Sequence, residues 1–478
     1  PETGGMDAAT AWLVAAVSLL AAVVGPFAAG HALLTKREPQ VATAWIAVCL
    51  IFPAGGALLY YLFGINRVYT RARKLVAEER LPPSLAPHPT SSSHGIGPEY
   101  AEQIRISDAV TGRPLEPGNR IQVLSNGEEA YPVMLEAIEG ARETVMLSTY
   151  IFETNTSGRQ FIDALSAAHR RGVDVRVLID GVGEYYTWPR PSTLLRRAGV
   201  PVARFLPPRL IPPQLSINLR NHRKILVVDG QRAFTGGMNL GDSHLLQSQR
   251  SHRVADVHFL FDGPLAQQME AVFAEDWAFT TGDERTPPKR ATPHDSGALC
   301  RTITDGPNED LDRLVMTLIG ALSAAREEIW LVTPYFLPMR PLITSLEAAA
   351  LRGVEVKILL PERNNLPFVH WATRHILGEL LHWGVHLYYQ PPPFAHTKLF
   401  VVDRRYAQVG SANMDPRSLR LNFELNAEIY NRPIAEQLAL DCELIRARSR
   451  QLSSAELGER HPAERLRDAL CWLASPYL

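Results

Sequence analysis

Two stretches of the 478-residue chain carry the same reactive side chains at the same offsets. Asn221-His222-Arg223-Lys224-Ile225-Leu226-Val227-Val228-Asp229 and Ala395-His396-Thr397-Lys398-Leu399-Phe400-Val401-Val402-Asp403 both read His-x-Lys, an apolar run, then Asp. Each leads into a small-residue turn and an asparagine, Gly236-Gly237-Met238-Asn239 and Gly410-Ser411-Ala412-Asn413. On an extended chain the His and Lys of His-x-Lys point to one face. An imidazole works as nucleophile or proton carrier near neutral pH. An ammonium and an amide are donors for the oxygens of an anion. Two copies supply two imidazoles and two cations, an inventory that fits a phosphodiester attacked by one histidine and protonated at its leaving oxygen by the other.

A histidine in such a role needs a partner on its second ring nitrogen, and a carboxylate raises its basicity. Asp256, in Arg253-Val254-Ala255-Asp256, follows the first motif, and Glu424, in Asn422-Phe423-Glu424, follows the second; Glu428 rivals Glu424. Asp229 and Asp403 close the motif strands, where they orient the lysines or fix the following turn.

With these residues the chain resembles the phospholipase D superfamily, whose signature is the doubled His-x-Lys-x4-Asp, and within it the bacterial cardiolipin synthases. The resemblance runs over nearly all of Met6–Leu478. It implies a pseudo-twofold α/β/α fold with both motifs at one site, an acid partner for each histidine, and a covalent phosphohistidine. It also implies that His222 is the nucleophile; the motifs alone are symmetric on that point. The expected reaction moves a phosphatidyl group from one phosphatidylglycerol to another. His222 attacks phosphorus, His396 protonates the departing glycerol and then acts as base on the incoming hydroxyl, and Lys224, Lys398, Asn239 and Asn413 stabilise the phosphoryl oxygens. No metal or other cofactor is expected, because these donors and imidazoles already supply charge and proton transfer. Hydrolysis of phospholipids by the same site is the alternative, and a superfamily nuclease or a non-catalytic membrane adaptor are the competing classes.

The elements that must position these residues are also legible. Thr144–Phe152, Gly158–Arg171 and 172–180 read as strand, helix, strand, and so do Glu328–Phe336, Leu342–Leu351 and 352–360, with Arg-Gly-Val-acid-Val-basic recurring. That order predicts βαβ crossovers in mostly parallel sheets and two adjacent motif strands. Segment boundaries follow: a remnant of expression or processing at 1–5, a membrane segment with two hydrophobic helices at 6–76, linker and lead-in at 77–120, halves at 121–285 and 286–451, and a tail at 452–478.

The uncharged runs Ala8–Thr35 and Gln40–Asn66 each exceed the roughly 20 residues that span a bilayer. Arg67, Arg71, Arg73 and Lys74 after the second run, against Lys36 and Arg37 between the runs, favour a cytoplasmic catalytic part in a bacterial cell membrane. A net charge of −1 gives no global basic field for nucleic acid. Cys49, Cys300, Cys442 and Cys471 are too scattered for a metal site or a disulfide framework. Leu81–Gly97 reads as linker. The proline-stiffened Phe205–Ile217 either touches lipid or packs between domains, and Arg465–Leu478 either lies on the membrane surface or packs as a terminal helix.

Overall fold

The computed structural model describes residues 8–36, 39–64, 98–208, 219–248, 252–284, 291–307 and 312–475. The linker tract, most of Phe205–Ile217 and the basic cluster at 67–74 lie outside them. The chain divides into two compact units, the smaller one N-terminal.

In the smaller unit, α1 (Ala8–Thr35) is followed by α2 (Pro39–Ile51) and α3 (Pro53–Leu59), then by a π-helical turn at Tyr60–Gly64. Small residues let these helices approach: Ala28, Ala29, Ala32, Cys49 and Ala57 form the core with Tyr60. A Cβ on Gly56 would lie 2.2 Å from the Val48 carbonyl oxygen. The second apolar run is therefore not one helix. It breaks at Phe52-Pro53, where proline's missing donor and fixed φ suit a fresh helix start. No helix among the described residues is long and apolar enough to cross a membrane, so the two expected spans are not seen as such.

The larger unit opens with α4 (Ala101–Thr111), then β1 (Glu116–Ser125), α5 (Asn126–Glu139), β2 (Thr144–Thr149), α6 (Thr156–Arg170), β3 (Asp174–Asp180), α7 (Pro191–Arg197) and β4 (Val202–Phe205). The first motif feeds β5 (Ile225–Val228) and β6 (Arg232–Gly236), followed by β7 (Val254–Ala255), β8 (Val257–Asp262) and α8 (Leu265–Thr281). The second half runs β9 (Ala298–Asp305), α9 (Arg313–Ala324), β10 (Glu328–Val332), α10 (Arg340–Leu351), β11 (Glu355–Pro361), α11 (Pro367–His382) and β12 (His386–Gln390). Its motif lies between β13 (Phe394–Ala395) and β14 (Leu399–Val402), and β15 (Tyr406–Gly410), α12 (Pro416–Arg420), β16 (Glu424–Tyr430) and α13 (Arg432–Ala447) follow. The chain closes with β17 (Arg450–Gln451), α14 (Ser454–Gly458) and α15 (Pro462–Leu473).

One large sheet has the order β17-β12-β11-β10-β14-β15-β16-β9-β1-β8-β6-β5-β2-β3-β4. Read inward, β12-β11-β10-β14-β15-β16-β9 corresponds strand for strand to β4-β3-β2-β5-β6-β8-β1. The βαβ crossovers are parallel, β2-β3-β4 and β10-β11-β12. The remaining pairings in this sheet are antiparallel, because each motif strand returns as a hairpin. The expectation of mostly parallel sheets is corrected accordingly. So is that of adjacent motif strands: β1 and β9 meet at the centre, while β5 and β14 lie apart.

The recurring Arg-Gly-Val is the stop of a helix. Gly172 and Gly353 take φ of 91° and 90°, a region glycine enters without penalty. Val173 and Val354 then donate back to Ala168 and Ala349, closing the turn. Each half has its own apolar core. Tyr100 and Ile104, at the start of α4, pack into the second core, so the stretch before β1 is part of the fold and not only lead-in.

Candidate active site

His222 and Lys224 sit just before β5, on extended chain pinned by buried ion pairs. Arg220 bonds Asp180 at 3.3 Å, while Arg223 and Asn221 bond Asp276 at 2.6 and 3.0 Å. The same stretch also bridges to the other half: the His222 amide donates to the Phe423 carbonyl and the Phe423 amide to Arg220. Reciprocally, β13 pairs with β7, and the His396 amide donates to the Ala255 carbonyl. Each motif histidine therefore lies beside the acid-bearing strand of the opposite half.

The consequence is a crossed pairing. His222 Nδ1 is 3.0 Å from both carboxylate oxygens of Glu424, and His396 Nδ1 is 3.0 Å from Asp256 Oδ2. The order of acids along the chain suggested one acid per half for its own histidine; the structure exchanges them. Glu424 is held by the Ser411 hydroxyl at 2.5 Å and by Asn422 at 3.2 Å. Asp256 presses against Gly237, where any Cβ would come within 2.4 Å of Oδ2. Among the described residues, Nε2 of neither ring has a hydrogen-bond partner, which leaves both for a substrate.

The lysines are buried with the rings. Lys224 Nζ donates to the His222 carbonyl at 2.7 Å; Lys398 Nζ donates to the His396 carbonyl and lies 2.9 Å from its Nδ1. Burial lowers Lys224 to about 7 and Lys398 to about 8. Burial also lowers His222 to about 4 against the pull of Glu424, and His396 to about 3 with help from Lys398. Both rings are thus neutral at neutral pH. Burial opposes the charge on Asp256, yet the His396 bond and Lys398 hold it at about 2. The field is shared across the halves: Lys398 acts on His222, and Lys224 on His396.

Other expected site residues are placed differently. Asp229 and Asp403 stand at the far ends of β5 and β14, roughly 16 Å from the lysines at strand rise. Both have φ near +50° in two-residue turns closed by Gln231→Val228 and Arg405→Val402 amide bonds. Their carboxylates accept from the amides of Arg142, Glu143 and Thr144, and of Arg326, Glu327 and Glu328. They fasten the motif hairpins to β2 and β10, and they neither orient the lysines nor touch the reacting end. Asn413 gives one N–H of its Nδ2 to Ser418 Oγ at 2.9 Å, which leaves it a single further donor. Asn239 accepts from the Ile151 amide through Oδ1 at 3.2 Å, and its NH2 has no partner among the described residues. Glu428 binds Arg301 at 2.6 Å and is not at the site.

Sequence reasoning assigned no role to Tyr150 and Tyr335, which stand edge-on to His222 and His396 with centroids 5.2 and 6.3 Å apart. The signal was present, since both lie shortly after corresponding strands. His244 and His258, buried near Asp256, were missed outright. α15 packs on α11 through Asp468, which takes bonds from Arg374 at 2.8 and 2.9 Å, while Leu466, Leu470 and Leu473 stay exposed.

A family model described as "Cardiolipin synthase, PLD-like domain" matches residues 134–277 and 318–443, and one described as "Phospholipase_D-nuclease N-terminal" matches 11–64. A cardiolipin synthase of Geobacillus kaustophilus (strain HTA426) is 33% identical over 416 residues, covering 85% of this chain and 83% of its own. Cardiolipin synthase A of Pseudomonas entomophila (strain L48) is 31% identical over 471 residues, 95% of this chain and 96% of its own. Among solved structures, the phosphatidylserine synthase of Haemophilus influenzae Rd KW20 matches with a TM-score of 0.61 at 15% identity, over 79% of this chain and all of that one. That likeness concerns the fold.

Proposed function

The chain belongs to the PLD-like cardiolipin synthase family, and from that premise we propose that its two motifs form one site that transfers phosphatidyl groups between phosphatidylglycerols. His222 Nε2 attacks the phosphorus of the donor. The bond from phosphorus to the glycerol oxygen breaks as that oxygen takes a proton from His396. The anionic diester raises the proton affinity of His396, which burial otherwise keeps low. In the second step a hydroxyl of another phosphatidylglycerol gives its proton to His396, its oxygen bonds to phosphorus, and the phosphorus–nitrogen bond breaks. Glu424 and Asp256 hold the rings by Nδ1 and favour the charged imidazolium. Lys224 and Lys398 face the phosphoryl oxygens, with Asn239 as a further donor.

The observation that carries this reading is the crossed pairing of His222 with Glu424 and His396 with Asp256. Two independent sites would have no need of it. It also supports descent from a duplicated half arranged about an approximate twofold axis.

The N-terminal unit is proposed as the anchor in a bacterial cell membrane, with the larger unit on the cytoplasmic face. Its uncharged runs support this, and so do the outward-facing Phe27, Leu33, Leu34, Ile51, Phe52 and Leu58. The test is purified protein in phosphatidylglycerol vesicles. Cardiolipin and glycerol should form in equal amounts. Release of phosphatidic acid alone would make the protein a hydrolase.

A further inference from the structure

The second phosphatidylglycerol brings an anion of its own. Its attacking hydroxyl and its phosphate lie at opposite ends of one glycerol, so a cation is needed about a glycerol length from the reacting phosphorus. Lys224 and Lys398 are already committed to the first phosphate.

Arg417 is the candidate for this cation. It lies on α12, beyond the Asn413 turn, half-buried. Its backbone carbonyl accepts from the Leu421 and Asn422 amides at 3.0 and 2.8 Å, and Asn422 in turn holds Glu424. That ties the residue's position to the His222 support. Among the described residues its guanidinium makes no hydrogen bond or ion pair. Its charge is felt at the hydroxyls of Tyr150 and Tyr335, the tyrosines against the two catalytic rings, and at Asp415. A half-buried arginine whose guanidinium has no bonded partner among the described residues, beside a site for anionic lipid, is poised for a phosphate.

The repeat adds a second, independent argument. Leu240 and Met414 make matching bridges, to Phe152 and Phe336. In that alignment Arg417 corresponds to Ser243. The chemistry is duplicated, but this cation occurs on one side only. It belongs to the half of His396, the base for the incoming hydroxyl.

Resting on the reading of the protein as a cardiolipin synthase, we propose that Arg417 binds the phosphate of the acceptor phosphatidylglycerol and so selects a lipid acceptor over a neutral one. The test uses the full chain in phosphatidylglycerol vesicles with labelled free glycerol. Two products are followed together: cardiolipin, made with the anionic acceptor, and labelled phosphatidylglycerol, made when free glycerol resolves the phosphatidyl-enzyme. Arg417→Gln should lower cardiolipin formation about tenfold or more while glycerol exchange stays within about twofold. Arg417→Lys should recover part of the loss. Parallel loss of both products, or unchanged cardiolipin formation, would overturn the assignment. If the unmodified protein gives neither product, it is the reading as a synthase that fails.

Discussion

Glu424 belongs to the second half of the repeat, yet it holds Nδ1 of His222, a residue of the first half, at 3.0 Å through both carboxylate oxygens. The exchange with Asp256 and His396 makes each half incomplete without the other. A histidine spectrum with ¹⁵N labelling reads this directly. Glu424→Gln should move the His222 ring resonances and leave those of His396 in place; Asp256→Asn should do the reverse. Each variant should lower kcat about 10- to 100-fold, as loss of an orienting partner does.

Asp229 and Asp403 are predicted to matter for stability and not for chemistry. Each satisfies three consecutive backbone amides, and removing such an acceptor costs about 1–3 kcal/mol. Asp403→Ala should lower the thermal midpoint by several degrees while the folded fraction keeps its KM. A loss of kcat with an unchanged midpoint would return these residues to the reacting end.

Gly237 and Ser411 occupy equivalent turns and are predicted not to exchange. A Cβ at 237 would lie 2.4 Å from Asp256 Oδ2, so Gly237→Ser should displace the partner of His396 and lower kcat about tenfold or more. Ser411→Gly removes one hydroxyl bond to Glu424 and should cost only a few-fold in a steady-state assay.

Acid stability follows from the buried imidazoles. Burial lowers His222 and His244 to about 4 and His396 and His258 to about 3, from an ordinary 6.5. Between pH 6.5 and 4 the unfolded chain takes up protons that the folded chain refuses, so stability falls as pH falls. Each group contributes a slope of up to about 1.4 kcal/mol per pH unit. Asp256, held at about 2, adds a further loss only below about pH 4. Denaturant titrations across this window should show the decline, and His258→Asn, which places in the first half the residue the second half has at Asn426, should make it shallower. A flat profile would mean that the imidazoles are charged in the fold.

The sequence carried the reactive residues and the repeat because fixed offsets survive in one dimension. The βαβ units of both halves lie within a few residues of where the pattern puts them. Pairing between distant strands leaves no such trace. Nothing in the order Asp256 before Glu424 says that β7 meets β13, or that Phe423 meets Asn221. The same limit explains the antiparallel return strands, whereas the helix break at Phe52-Pro53 is local and comes from the proline itself. The motif's aspartates share the spacing of the reactive residues, but a strand rise carries them away from the reacting end. Arg417 was visible only as a departure from the repeat, and its meaning depends on two tyrosines far away in sequence.

The central claim is that His222 and His396 address one phosphorus atom. The most direct measurement is an experimental structure of the protein with tungstate or vanadate as a phosphoryl mimic. A single anion should sit within about 3 Å of Nε2 of both rings. Two anions in separate clefts, each on one histidine, would contradict it.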